Sequence, residues 1–146
     1  WSSDVCSSDL SSSQGIYLGM NGTTLYGTGF TNDLNVANYW SVGVWNHLCV
    51  VYDGANASIY SNGSVVVSGA KSFNIVRAKF YIGRQLNDAE YWNGSIDEVG
   101  IWNRALTQQE ITALYQAQQP NPCLPSYVPT NGLVGYWPFY LNHQSF

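Results

Sequence analysis

Short runs of alternating hydrophobic and polar residues cover most of the chain, punctuated by Gly, Asn, Asp and Ser. Gly15-Ile16-Tyr17-Leu18-Gly19-Met20 reads as a strand, Asn21-Gly22 as a hairpin turn and Thr23-Thr24-Leu25-Tyr26-Gly27 as the returning strand. The polar stretch from Thr28 to Asn38 reads as loop. Trp45 to Gly54 predicts a strand that ends in a turn, and Ser58 to Ser68 a hairpin bent at Asn62-Gly63. Phe80-Tyr81-Ile82-Gly83 predicts a further short strand. Ile96 to Trp102, after the turn pair Asn93-Gly94, is rich in β-branched and aromatic residues, as a packed strand requires. Thr107 then stands three residues before Glu110, the spacing of a capping box. Ile111, Leu114 and Tyr115 follow at i, i+3 and i+4, which gives the helix one apolar side. The pattern is all-β with one short helix near residues 107–117.

Composition narrows the class. At 146 residues, 45% hydrophobic and 10% charged, the chain has the size and core of one folded domain. Fourteen Gly and a single Met suit many short strands joined by turns. The net charge is −4 and only five residues are Lys or Arg, so a basic footprint for nucleic acid or an anionic membrane is excluded. No apolar run reaches the length of a membrane span. The chain does not begin with Met and reads as a fragment, so the lack of a leader carries no information on location. Residues 1–12 stand apart. Ser-Ser-Asp occurs twice within Trp1 to Leu10 without any strand or helix period, which resembles a translated sequencing adaptor or else a Ser-rich linker. Cys6 belongs to that segment.

Trp92-Asn93-Gly94-Ser95-Ile96-Asp97-Glu98-Val99-Gly100-Ile101-Trp102-Asn103-Arg104-Ala105-Leu106, with the Thr107–Tyr115 helix behind it, resembles the closing segment of laminin-G-like, concanavalin A-like jelly-roll domains. The same resemblance holds for Trp45 to Gly54, Ile59 to Gly63 and Tyr81 to Arg84, so it covers about Gly15 to Tyr115. It implies a jelly-roll sandwich of two antiparallel sheets, at residues 13–117. Such domains open with a G-L-V-x-Y-W-x-F strand, and that motif stands here at Gly132 to Phe139. Residues 118–131, with Pro120, Pro122, Pro125 and Pro129, read as a stiff linker. The implied parent is a repeat array, with residues 132–146 holding the first strand of a following repeat. A sandwich without its opening strand exposes an edge, so Leu133 to Phe139 is expected to fold back into the vacant place.

Glucanases of the same superfamily resemble one another in an E-x-D-x-x-E strand whose alternate carboxylates share one cleft. Retaining hydrolysis needs two carboxyls about 5 Å apart. Asp97 and Glu98 are neighbours, which a strand points to opposite faces, and Ser95 and Gly100 stand where the other acids would be. His47 has no Ser or Cys arranged with it as a triad. The chain is therefore read as no enzyme. Calcium is the better chemical candidate, because Gln85 to Glu90 is rich in oxygen ligands and Asp97 follows soon after. Calcium-dependent pentraxins, which look like distant relatives, place ligands in the corresponding loop, although this one is shorter and less acidic. Asn87, Asp88, Glu90 and Asp97 are the candidate ligands. A solvated turn explains the loop equally, and Asp97 fits a bond to local backbone amides, with Glu98 at the surface or paired with Arg104.

Sugars stack on aromatic rings, while Asn, Asp and Gln bond their hydroxyls. Tyr91 and Trp92 beside Asn87 and Asp88 make one such platform and Tyr39 and Trp40 a second; the alternative for each is a core aromatic beside a turn. Trp45 and Trp102 are assigned to the core. The N-x-S/T matches at Asn21, Asn56, Asn62 and Asn93 are read as turns, Cys49 as a buried thiol, and Cys123 as able to pair outside this segment. The expected function is a non-catalytic recognition module of an extracellular or cell-surface protein, binding glycans or proteins and flanked by neighbouring domains. A structural spacer is the alternative, and a glycoside hydrolase fragment the third reading.

Overall fold

In the computed structural model, residues 16–29, 32–39, 41, 43–73, 80–84, 91–118 and 128–137 are described. The strands are β1 (Tyr17–Asn21), β2 (Thr24–Gly29), β3 (Asn32–Val36), β4 (Leu48–Tyr52), β5 (Asn56–Ser61), β6 (Ser64–Ala70), β7 (Val99–Trp102) and β8 (Leu133–Trp137), with helix α1 (Gln108–Ala117) between the last two. They pair antiparallel in three groups, β1-β2-β3, β4-β5-β6 and β7-β8. Each hairpin has the local chemistry to close. Asn62 and Gly63 both take positive φ (50° and 79°) at the β5–β6 bend, as a mirror-image turn requires. At the β1–β2 bend Asn21 still pairs with Thr24, so Gly22 and Thr23 make the turn.

The middle sheet is covered on both faces. Leu48, Val50, Val66 and Val67 pack with Met20, Leu25 and Ile59 toward the first sheet. Cys49, Val51 and Tyr60, from alternate positions, pack with Leu106, Ile111 and Leu114 toward α1. Leu25, Ile59 and Ile111 are fully buried. Gly27 lets the sheets approach, because a Cβ there would stand 2.6 Å from Ile59 Cδ1.

Four sequence expectations need correction. Asn32–Val36 is a strand, not part of a loop: it completes the β2 ladder, Leu34 packs on the core, and the Tyr17 hydroxyl and Lys71 ammonium bond Asp33. These tertiary partners outweigh the poor strand propensity of Asn and Asp. The strand expected from Trp45 begins only at Leu48, which leaves Trp45 in the preceding coil and 61% exposed rather than in the core. Trp102 does pack against the α1 cluster. The closing strand is limited to Val99–Trp102, because Glu98 adopts φ +55°, so Asp97 and Glu98 lie outside it. Among the described residues Phe80–Gly83 forms no named strand; next to it stands an isolated Arg84–Tyr91 bridge.

β8 pairs with β7 through Val99–Trp137, Gly100–Tyr136 and Ile101–Gly135, with a register shift before Trp102–Leu133. The segment after the Pro-rich stretch is thus paired back onto the domain, not detached from it.

Candidate functional site

Tyr81–Arg84 and Tyr91–Trp92 lie side by side. The Trp92 amide donates to the Gly83 carbonyl at 2.8 Å, and Arg84 bridges to Tyr91. Gly83 has φ +75°, a conformation costly for other residues. The Arg84 guanidinium lies 4.5 Å from the centre of the Tyr81 ring, a cation–π contact. Beside these segments opens a recess of about 390 Å³ lined by Ile82, Gly83, Trp92, Gly94 and Ile96.

Trp92 joins core and recess. Its ring packs against the Met20, Leu25 and Ile59 cluster, and its buried Nε1 has no acceptor among the described residues. A buried donor of this kind calls for a partner. Tyr91, next in the chain, is 61% exposed. The recess thus has a floor of Ile82, Trp92 and Ile96, and the exposed Tyr91 ring is next to Trp92 in the chain. Gly94 and Ile96 contribute to the lining although the sequence signalled only a turn and a strand there.

The second aromatic pair divides. Tyr39 is half-buried against the same cluster, and its amide donates to Thr23 O, so its ring belongs with the core packing. Trp40 lies outside the described residues, as do Asn87, Asp88 and Glu90. Asp97 is exposed, and its Oδ1 accepts the Glu98 amide at 2.8 Å, the local role that its sequence position suggested. Glu98 is not the partner of Arg104. Burial, with the Asp97 charge beside it, raises the Glu98 carboxyl above its ordinary range. Arg104 instead grips both oxygens of Glu110, at 2.6 and 2.8 Å, because the capping box has already fixed that carboxylate at the helix start.

Among the described residues no three His, Cys, Asp or Glu side chains gather as a metal cluster. Burial pushes the Cys49 thiol up to about 12 and the His47 ring down to about 4, so the thiol stays protonated and the ring neutral at pH 7. Trp45 is an exposed aromatic that the sequence assigned to the core, since its place at the start of the expected Trp45–Gly54 strand suggested packing.

A family model described as the concanavalin A-like lectin/glucanases superfamily, of the laminin G type, matches residues 2–112. The chain belongs to this superfamily. The antiparallel strands and the short helix α1 of the described residues are a concanavalin A-like, all-β fold. A solved structure to which the domain is similar is an S-layer domain-containing protein (residues 221–444) from Clostridium thermocellum ATCC 27405, at 23% identity and a TM-score of 0.48. The similarity covers 68% of this chain and 55% of that one, so the concanavalin A-like domain spans about half of its neighbour. No curated protein matches. Among the described residues no helix is long and apolar enough to cross a membrane.

Proposed function

We propose that this laminin-G-like domain is a non-catalytic recognition module of an extracellular or cell-surface protein and that it binds carbohydrate at the Tyr91–Trp92 recess. The observation that carries this reading is the open recess lined by Ile82, Trp92 and Ile96, with the exposed Tyr91 ring next to Trp92 in the chain; the Trp92 indole N–H is buried without an acceptor among the described residues. A pyranose face stacks on such a ring, and a sugar hydroxyl accepts from such a donor.

Calcium belongs to the same proposal. Asn87, Asp88 and Glu90 lie in the sequence between Arg84 and Tyr91, which pair in an isolated bridge, and Gly83 and Trp92 next to that pair line the recess. The carboxylate and amide oxygens of Asn87, Asp88 and Glu90 suit calcium. The Asp97 carboxylate, by contrast, supports its own backbone through the Glu98 amide.

A glycan array followed by titration calorimetry tests the reading, with Tyr91→Ala and Trp92→Phe as the variants. Loss of one stacking ring lowers affinity by up to about tenfold. Trp92→Phe keeps most of the packing and removes only the donor. Glycan binding that both substitutions weaken, at unchanged melting temperature, supports the site. No binding across the array, or binding indifferent to both, would leave a protein ligand or a spacer role in its place.

A further inference from the structure

Residues 129–133 meet Trp102, Asn103 and Arg104 through a set of bonds that resembles a docking clip. Trp102 Nε1 donates to Pro129 O at 2.7 Å, Asn103 N to Gly132 O at 2.7 Å and Arg104 Nε to Asn131 O at 2.8 Å. Leu133 N closes the turn on Thr130 O at 3.2 Å. Gly132 has φ +75°, and a Cβ there would stand 2.7 Å from Asn103 Oδ1, so the Pro129-Thr130-Asn131-Gly132 turn fits against this surface closely. The ladder to β7 follows at once, and beyond it Trp137 stacks on Phe80 with ring centres 6.0 Å apart.

Apart from the Leu133–Thr130 turn bond, these contacts run between residues 80–104 and residues 129–137, and none depends on which chain supplies the second set. Residues 118–128 lie between α1 and the clip and contain Pro120, Pro122 and Pro125. We propose that the β7 edge with its Trp102-Asn103-Arg104 clip is a strand-acceptor site that also takes the Pro129–Trp137 segment of a second copy of this chain, giving a strand-exchanged assembly. The internal and external strands make identical bonds, so only effective concentration separates them, and that is on the order of millimolar for a short flexible tether. A stiff or strained tether lowers it and favours exchange.

Cysteine trapping between full-length chains tests this. Val99 and Trp137 are directly opposed across the ladder. Opposed residues in antiparallel strands have Cα atoms about 4.5–5.5 Å apart, within the span of a disulfide. In a background with Cys6→Ser, Cys49→Ala and Cys123→Ser, one population carries Val99→Cys and another Trp137→Cys. The two are unfolded together, refolded over a range of concentrations and oxidised. The expected result is a disulfide-linked heterodimer whose yield rises with concentration and exceeds, by several-fold, that of a mixture with Val134→Cys in place of Trp137→Cys. A single chain carrying both Val99→Cys and Trp137→Cys provides the internal comparison. If that chain closes its own disulfide while the mixture gives no more heterodimer than the Val134 control, the site does not exchange and the proposal fails. Failure of the double variant to close would also overturn it, because the register on which exchange depends would be absent.

Discussion

Gln108 Nε2 donates to the Gly63 carbonyl at 2.6 Å, and Thr112 Oγ1 donates to the same oxygen at 3.2 Å, so the first turns of the helix are tied to the β5–β6 bend. Gly63 makes the tie possible twice over. It holds φ +79°, and a Cβ would stand 3.0 Å from Tyr115 Cδ1. Gly63→Ala is therefore expected to destabilise the domain by about 1–2 kcal/mol from backbone strain, with crowding against Tyr115 in addition. Urea unfolding measures it. A loss no larger than that of an exposed surface substitution would show that the bend and helix are not coupled.

How much of this was legible in the chain follows from where the information lies. The Asn62-Gly63 hairpin and the Thr107–Glu110 capping box were legible because their determinants are local and stereochemical. β3 was not, since Asn32, Asp33 and Asn35 argue against a strand until Tyr17, Lys71 and the β2 ladder are in place. Trp45 misled for a related reason: period and composition cannot say that the ladder starts three residues later. Of the site, Tyr91 and Trp92 were picked out as sugar-stacking candidates, whereas Ile82, Gly83 and Ile96 have no signature apart from the recess they line.

The Arg104–Glu110 pair predicts an acid-sensitive contribution to stability. Hydrogen bonds from Arg104, then from the Thr107 amide, hold the Glu110 carboxyl near 2 against an ordinary 4.5. The folded domain therefore keeps Glu110 ionised where the unfolded chain protonates it. The benefit is complete above pH 4.5 and fades as pH falls toward 2. Glu110→Gln is expected to lower the melting temperature at neutral pH, to lower it less in high salt because solvent screens the pair, and to match the native chain near pH 2. An equal deficit at both ends of the range would assign the effect to packing instead of charge.

His47 acts in a higher window. Its backbone is clasped by Asn62, whose Oδ1 accepts from His47 N and whose amide donates to His47 O, and its ring meets Tyr115 at 6.0 Å. Burial lowers its pKa from 6.5 to about 4, so the fold holds the neutral ring. Stability is then full above pH 6.5 and declines as pH falls through the window to 4, with a slope of at most about 1.4 kcal/mol per pH unit. His47→Gln should flatten that decline while leaving the Glu110 effect below it. Denaturant titrations at half-unit pH steps separate the two. A decline as steep in His47→Gln as in the native chain would assign the titration to another group.

The calcium proposal makes the last prediction. An ion that binds only the folded domain stabilises it by about 2.7 kcal/mol at a concentration one hundred times its dissociation constant. Thermal unfolding followed by circular dichroism, first in chelator and then in millimolar calcium, should show the midpoint rise. Asp88→Ala should abolish the rise, because Asp88 supplies a carboxylate within the 85–90 segment, while Asp97→Asn should largely preserve it, since the Asp97 side chain serves its own backbone. If the midpoint does not move with calcium but glycan affinity still depends on Tyr91, the recess binds sugar without a metal. If calcium stabilises and Asp97→Asn alone removes the effect, the ion sits at the start of the closing segment and the loop assignment is wrong.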